Sequence, residues 1–226
     1  MRFVVTGANR GIGLEFVKQL TGRGEEVEAT ARNPDDAPDL QALVRPGARL
    51  RIHRLDVGED GSVAAFAEQL PGGPVDVLIN NAGVSGVKGG DPIDPADILR
   101  VFNVNAVGTL RVVRALLARL LAGRGKKIAN LTSRLGSIAE ASGGRYAYRM
   151  SKVALNMATR LLAQDLRSDG ILTVAIHPGW VQTRMGGNAA PVPPEESVLG
   201  MLRLIDGLTA LQSGNVFDFQ GREIPW

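Results

Sequence analysis

Tyr148 and Lys152 stand four residues apart, a spacing that puts two side chains on one face of a helix. A phenol titrates at about pH 10 and exchanges protons poorly near neutrality unless a neighbouring cation stabilises its phenolate. Lys152 is placed to be that cation. Ser133 closes the apolar run from Lys127 to Thr132, and a hydroxyl at that strand end could hold a substrate oxygen toward Tyr148. Taken singly, these are also a surface tyrosine, a surface lysine and a turn serine. Asn105 interrupts the apolar stripe of a long helix predicted over Pro95 to Leu121. An amide buried there without partners costs about 1–3 kcal/mol, so it needs a reason.

A second constellation opens the chain. Arg2 to Thr6 is a short β-branched run, and Ile12 to Leu20 carries apolar residues at helical spacing, so the segment reads as strand, turn, helix. Gly7, Gly11 and Gly13 in that turn allow a sharp bend and a close approach to a bound group, while the helix start points free N–H groups at it. That geometry suits a pyrophosphate, although structural turns use glycine too. Glu26 to Ala31 is the next strand, and Arg32 sits at its carboxyl end. In a doubly wound fold an acid there accepts from a ribose 2′-hydroxyl, whereas arginine accommodates a 2′-phosphate. Arg10, inside the glycine turn, could add a second positive charge, and each is otherwise an ordinary surface arginine.

These residues need strands and helices in alternation to bring them together. Ala48 to His53 is a strand, followed by Asp56-Val57 and a helix over Glu59 to Leu70. After the Pro71 to Pro74 break, Val75 to Ile79 runs as a strand into the small, amide-rich turn Asn80 to Gly83. Lys127 to Thr132, a helix over Tyr146 to Ser168, a strand over Ile171 to His177, an irregular Trp180 to Pro194, a helix opened by Pro194 and a strand over Asn215 to Phe219 complete the chain. The expectation is one α/β domain over residues 1–226, a doubly wound, mostly parallel sheet of about seven strands between two helical layers.

Composition narrows the classes of function. At 226 residues, 44% hydrophobic and 22% charged, the chain suits a single domain with a full core. With no cysteine it has no disulfide and no thiolate ligand or nucleophile. His53 and His177 lie far apart with no paired ligand spacing, so no metal is expected. The net charge of +3 is scattered without aromatic clustering, which points to solvated faces and away from nucleic acid. No leader-like segment precedes the first strand and no run is read as a membrane span, so a cytoplasmic location is expected.

Thr6-Gly-Ala-Asn-Arg-Gly-Ile-Gly13, Asn80-Asn-Ala-Gly83, Asn105, Ser133-x-x-Gly136, Tyr148-x-x-x-Lys152 and Pro178-Gly-x-x-x-Thr183 together resemble the short-chain dehydrogenase/reductase family, in the family's order. Gly143 to Lys152 and His177 to Thr183 look most like its C-factor and Sniffer-type carbonyl reductase subgroup. The resemblance implies a Rossmann-fold oxidoreductase moving a hydride between NADP(H), with NAD(H) possible, and a small-molecule carbonyl or secondary alcohol. It implies a tetrad of Asn105, Ser133, Tyr148 and Lys152: Tyr148 as acid or base, Ser133 on the substrate oxygen, Lys152 on the nicotinamide ribose and lowering the Tyr148 pKa, Asn105 holding a water. It also implies Gly7, Asn9, Arg10, Gly11, Ile12 and Gly13 around the phosphates, Arg32 at the 2′-phosphate, Asp56 and Val57 at the adenine, Asn81, Ala82 and Gly83 along the cleft, and Pro178, Gly179, Val181 and Thr183 along the nicotinamide. Two departures stand out. The Ser133 to Tyr148 spacing is longer than usual, which leaves Ser137 as a second serine, and the Arg184 to Pro194 segment is short for a substrate lid, which implies an open pocket. The helices over Pro95 to Leu121 and Tyr146 to Ser168 carry spare apolar surface, as a homodimer or homotetramer would use. A nucleotide-binding signalling or regulatory protein of the same fold is the rival reading, and it has no need of Tyr148, Lys152 and Ser133 together.

Overall fold

A computed structural model describes residues 1–87 and 93–226. Seven parallel strands form one sheet in the order β3-β2-β1-β4-β5-β6-β7: β1 (Arg2–Val5), β2 (Glu26–Ala31), β3 (Leu50–Arg54), β4 (Val77–Asn80), β5 (Lys127–Leu131), β6 (Leu172–His177) and β7 (Val216–Asp218). The helices are α1 (Gly11–Gly22), α2 (Pro38–Gln41), α3 (Asp60–Gln69), α4 (Pro95–Phe102), α5 (Gly108–Leu121), α6 (Tyr146–Asp165) and α7 (Pro194–Asp206). The expected doubly wound sheet is therefore present, with strand order reversing between β1 and β4. Ligands bind in this architecture outside the carboxyl ends of the strands at that switch.

Alternation along the strands sends side chains to two cores. Phe3 and Val5 of β1 pack with Phe16, Val17 and Leu20 of α1 and with Met201 and Leu202 of α7. Val4 faces the other way, among Val63 and Phe66 of α3 and Val112, Leu116 and Leu120 of α5. The sheet is thus covered on both faces, as continuous apolar parallel strands require.

The expected elements are found with their ends moved by a few residues. Asp76 precedes β4 because its carboxylate accepts from the backbone N–H groups of Arg2, Arg124 and Gly125 at 2.7, 2.8 and 3.2 Å. α2 and the short helical turns at Pro34–Asp36 and Arg134–Gly136 are additions, too brief for periodicity to reveal. The single helix expected over Pro95 to Leu121 is three pieces: α4, one wide π-helical turn at Asn103–Val107, and α5. Contrary to the expectation that no run reaches a membrane span, this 27-residue stretch has the length for one and contains an 18-residue window with a mean hydropathy of 1.3. Its Val101, Val112, Leu116 and Leu120 are core residues, and core helices meet the same criterion.

A further correction concerns charge. Arg2 and Glu28 are not part of a solvated face: Glu28 is wholly buried, taking Arg2 Nη2 at 2.7 Å, Arg51 Nη2 at 3.1 Å and His53 Nε2 at 2.6 Å. The register of β2 on β3, with Glu28 opposite Arg51 and Thr30 opposite His53, brings them together.

Candidate active site

The glycine turn is built as much by the protein's own contacts as by room for a ligand. Gly7 and Gly11 adopt φ of 66° and 55°, where a side chain is strained. A Cβ on Gly7 would stand 2.9 Å from Ala82 Cα, and one on Gly13 would collide with the Gly7 carbonyl. Those two glycines therefore seat the turn on the Asn80 to Gly83 segment and on α1. Asn81 ties the same segments together, its amide donating to the Thr6 and Gly7 carbonyls at 2.8 and 2.9 Å. Thr6 Oγ1 in turn accepts from the Asn81 and Ala82 N–H groups at 3.0 Å each. α1 begins with no side-chain cap and no acid in its first turn, which leaves its N-terminal dipole and N–H groups free for an anion.

The three helical-face residues converge beside this turn. Lys152 is buried, its Nζ donating to the Leu131 carbonyl at 2.8 Å and lying 5.6 Å from the Tyr148 ring centre. A Cβ on Gly83 would be 3.3 Å from Asn105 Oδ1 and 3.8 Å from Lys152 Nζ, so Gly83, Asn105 and Lys152 meet at one point. Burial lowers the Lys152 pKa to about 8. Burial raises the Tyr148 phenol above its ordinary value, with Ser133 and Arg145 pulling against it. That direction differs from the implied lowering by Lys152, whose ammonium is here held on the Leu131 carbonyl.

Ser133 and Ser137 are distinguished by their partners. Ser133 Oγ accepts from Leu135 N–H at 3.2 Å and its hydroxyl bears on the phenol. Ser137 is turned to the chain's end, donating to the Trp226 carbonyl at 3.4 Å and accepting from Glu140 N–H at 3.2 Å. Asn105 is held at both ends of its amide: Oδ1 accepts from Val84 N–H at 2.8 Å, while Nδ2 donates to the Val84 carbonyl at 2.9 Å and to Ser151 Oγ at 3.0 Å. Its side chain thus fixes the cleft wall to α6. Asn105 lies in the π turn at Asn103–Val107, and such turns gather at functional sites.

The family model for short chain dehydrogenases matches residues 2–192. The chain belongs to that family. It is 56% identical over 165 residues to the C-signal protein of Myxococcus xanthus, covering 72% of this chain and 99% of that one. In structure it is similar to the NADPH-bound carbonyl reductase from chicken fatty liver, with a TM-score of 0.93 and 36% identity over 100% of this chain and 98% of the other. It is likewise similar to the carbonyl reductase Sniffer of D. melanogaster, with a TM-score of 0.94 and 31% identity over 100% and 99% of the two chains.

In this short-chain dehydrogenase, Arg10 and Arg32 are exposed at the carboxyl edge, and neither guanidinium has a hydrogen bond or ion pair among the described residues. Arg54, which the sequence reading passed over, ends β3 opposite Ala31 and is exposed and unpaired in the same sense. Its signal was the shared position, an arginine ending each of two adjacent strands. Asp56 closes its own turn, Oδ1 accepting from Gly58 N–H at 2.9 Å, and Val57 is buried. Pro178 to Thr183 folds back over the glycine turn: the Ser197 hydroxyl donates to the Pro178 carbonyl at 2.6 Å, and Thr183 Cγ2 would be 3.2 Å from a Cβ on Gly11. Val181 is buried and bridges Val192, which shapes Trp180 to Pro194 into a closed loop. His53 belongs to the Glu28 cluster. His177 ends β6, with burial and the nearby Arg134 holding its pKa at about 4 against Asp218, and its Nδ1 has no partner.

Proposed function

We propose that this chain is an NADPH-preferring carbonyl reductase with Tyr148 as the proton donor. The observation that carries the reading is the convergence of Tyr148, Lys152, Ser133 and Gly83, on the same carboxyl edge of the sheet as an uncapped helix start and two unpaired arginines. When bound, NADP(H) supplies the hydride. The α1 N-terminus and the glycine turn hold its pyrophosphate, and Arg10 and Arg32 its 2′-phosphate. Ser133 donates a hydrogen bond to the substrate carbonyl oxygen and orients it. Tyr148 gives that oxygen its phenolic proton; burial keeps the phenol protonated but also makes it a weaker acid, so the transfer depends on a cation beside the phenolate that forms. Lys152, charged below about pH 8, releases the Leu131 carbonyl for the ribose hydroxyls and stabilises the phenolate left behind. Replacing Tyr148 by Phe tests this, since general acids contribute about 10²–10⁴-fold. Turnover should fall by that order while the Kd for NADPH stays unchanged; substantial residual turnover would remove Tyr148 from the role.

A signalling or regulatory protein of the same fold is the second reading, and the 56% identity to C-signal is what favours it. It predicts cofactor binding without turnover. Either protein could self-associate through the outer faces of α4, α5 and α6. Leu99, Phe102, Leu110, Tyr146, Met150, Met157 and Leu161 are exposed there, an apolar stripe that supports a homodimer or larger assembly.

A further inference from the structure

The turn that starts α6 carries a charge that the roles above leave unused. Gly143, Gly144 and Arg145 pass consecutively through the left-handed region, at φ of 81°, 67° and 52°. Glycine does this freely, whereas a residue with a Cβ does so against steric repulsion. Among the described residues only Lys126 is another non-glycine with positive φ, and there the ammonium donates to the Asp169 carbonyl at 2.9 Å. Arg145 has no such bond. Its guanidinium is exposed, without a hydrogen bond or ion pair among the described residues. Non-glycine residues held in this conformation gather at sites of function.

The surroundings leave that charge uncompensated. Glu140 is the single acid between Arg134 and Arg149, and it is occupied by Arg134 at 2.8 Å. Arg149 is committed to Ser142 Oγ at 2.8 Å and to the Leu135 carbonyl at 3.4 Å. Arg145 lies one helical turn before Tyr148, close enough for its charge to act on the phenol. It belongs to a different part of the carboxyl edge from Arg32: Arg145 caps α6 in the connection between β5 and β6, whereas Arg32 follows β2, and β1 and β4 lie between β2 and β5. The loops leaving β5 and β6 also carry exposed Ile138, Trp180 and Met185, and the indole of Trp180 is steadied by a 2.8 Å bond to the Gly186 carbonyl.

We propose that Arg145 is a specificity-determining residue, and that the carbonyl compounds it selects carry an anionic group (carboxylate, phosphate or sulfonate) on an apolar body. The proposal rests on the carbonyl-reductase reading above. It is tested with 4-carboxybenzaldehyde and benzaldehyde as matched probes at saturating NADPH, read as the ratio of their kcat/KM values. The ratio cancels any effect of Arg145 that acts on the phenol alike for both. Arg145→Ala should lower it by about tenfold or more, mainly through KM for the carboxylated probe, because a charge-assisted hydrogen bond is lost. Arg145→Gly, which also relieves the backbone, should show the same loss, and Arg145→Lys should recover part of it. An unchanged ratio in the Ala and Gly variants overturns the inference and leaves the reductase reading standing. A parent that turns over neither aldehyde nor any other carbonyl overturns both.

Discussion

The sheet uses arginine in opposite ways at its two ends. In the amino-terminal half of β1, β2 and β3, Arg2 and Arg51 close on Glu28, while Arg49 and Arg51 reach Glu26 at 2.6 and 2.5 Å. At the carboxyl ends, Arg10, Arg32 and Arg54 are exposed and without an ion pair among the described residues. A buried charge must be paired inside the protein, so the Arg2–Glu28 pair is structural, and the exposed Arg49 and Arg51 extend it toward solvent. An unpaired arginine on a strand's carboxyl edge costs nothing in water and is free to meet a phosphate. The end of the strands at which an arginine sits, and not residue type, separates the two uses.

Breaking the paired end should give the largest effect. Glu28→Ala removes the buried carboxylate from Arg2 and His53, leaving Arg2 the Pro71 and Gly72 carbonyls and Glu26 at 3.5 Å; a loss of about 3 kcal/mol in unfolding free energy is expected, with cofactor Kd unchanged in the folded fraction. The pH dependence follows the same carboxylate. Burial works to raise the Glu28 pKa, but His53, Arg2 and Arg51 hold it below the usual carboxylate value. With the folded pKa the lower one, the stability the carboxylate contributes is full above the usual value and is lost as pH falls from there through the lower, folded pKa. The parent should therefore lose stability more steeply in acid than Glu28→Ala; denaturant midpoints against pH read this, and equal slopes would deny the cluster its role.

The unpaired end should respond the other way around. Arg32→Ala should leave the denaturation midpoint close to the parent's. It should weaken NADPH binding by about tenfold or more, since one charge-assisted hydrogen bond contributes roughly 1.5–3 kcal/mol. NADH binding should not change, which a titration of both cofactors checks. A stability loss without a change in the NADPH to NADH ratio would place Arg32 with the structural group.

The smallest effect concerns Lys152, a buried cation that belongs to neither end. Burial lowers Lys152 to about 8, while the Tyr148 phenol is raised. Lys152 is therefore charged below about pH 8 and neutral above it, and kcat/KM for reduction should decline through that pH, well before the tyrosine ionises. A profile flat to beyond pH 9, roughly a unit past the limb, would show that the ammonium is not needed.

The parts legible in the sequence are those set by local spacing. Strand, glycine turn and helix at the start, the Tyr148 to Lys152 step and the serine just past β5 each follow from periodicities of two and four. The parts that were not legible depend on partners distant in the chain. Asn105 is a misfit in its stripe until Val84 and Ser151 are seen to hold it. Gly7 and Gly13 looked like room for a ligand, but Ala82 and the turn's own backbone are what exclude a side chain there. Glu28 alternates like a solvent-facing strand residue, and only the pairing of β1, β2 and β3 buries it. The left-handed backbone of Arg145 has no sequence signature beyond the two glycines before it.

The central claim is that this chain turns over carbonyl compounds with NADPH, and a panel of aldehydes, ketones and quinones tested with NADPH and with NADH addresses it most directly. The account predicts reduction of at least some members, with a lower KM for NADPH than for NADH. Binding of either cofactor with no turnover of any member, in reduction or in oxidation of the matching alcohols, would contradict it and leave the signalling protein as the better description.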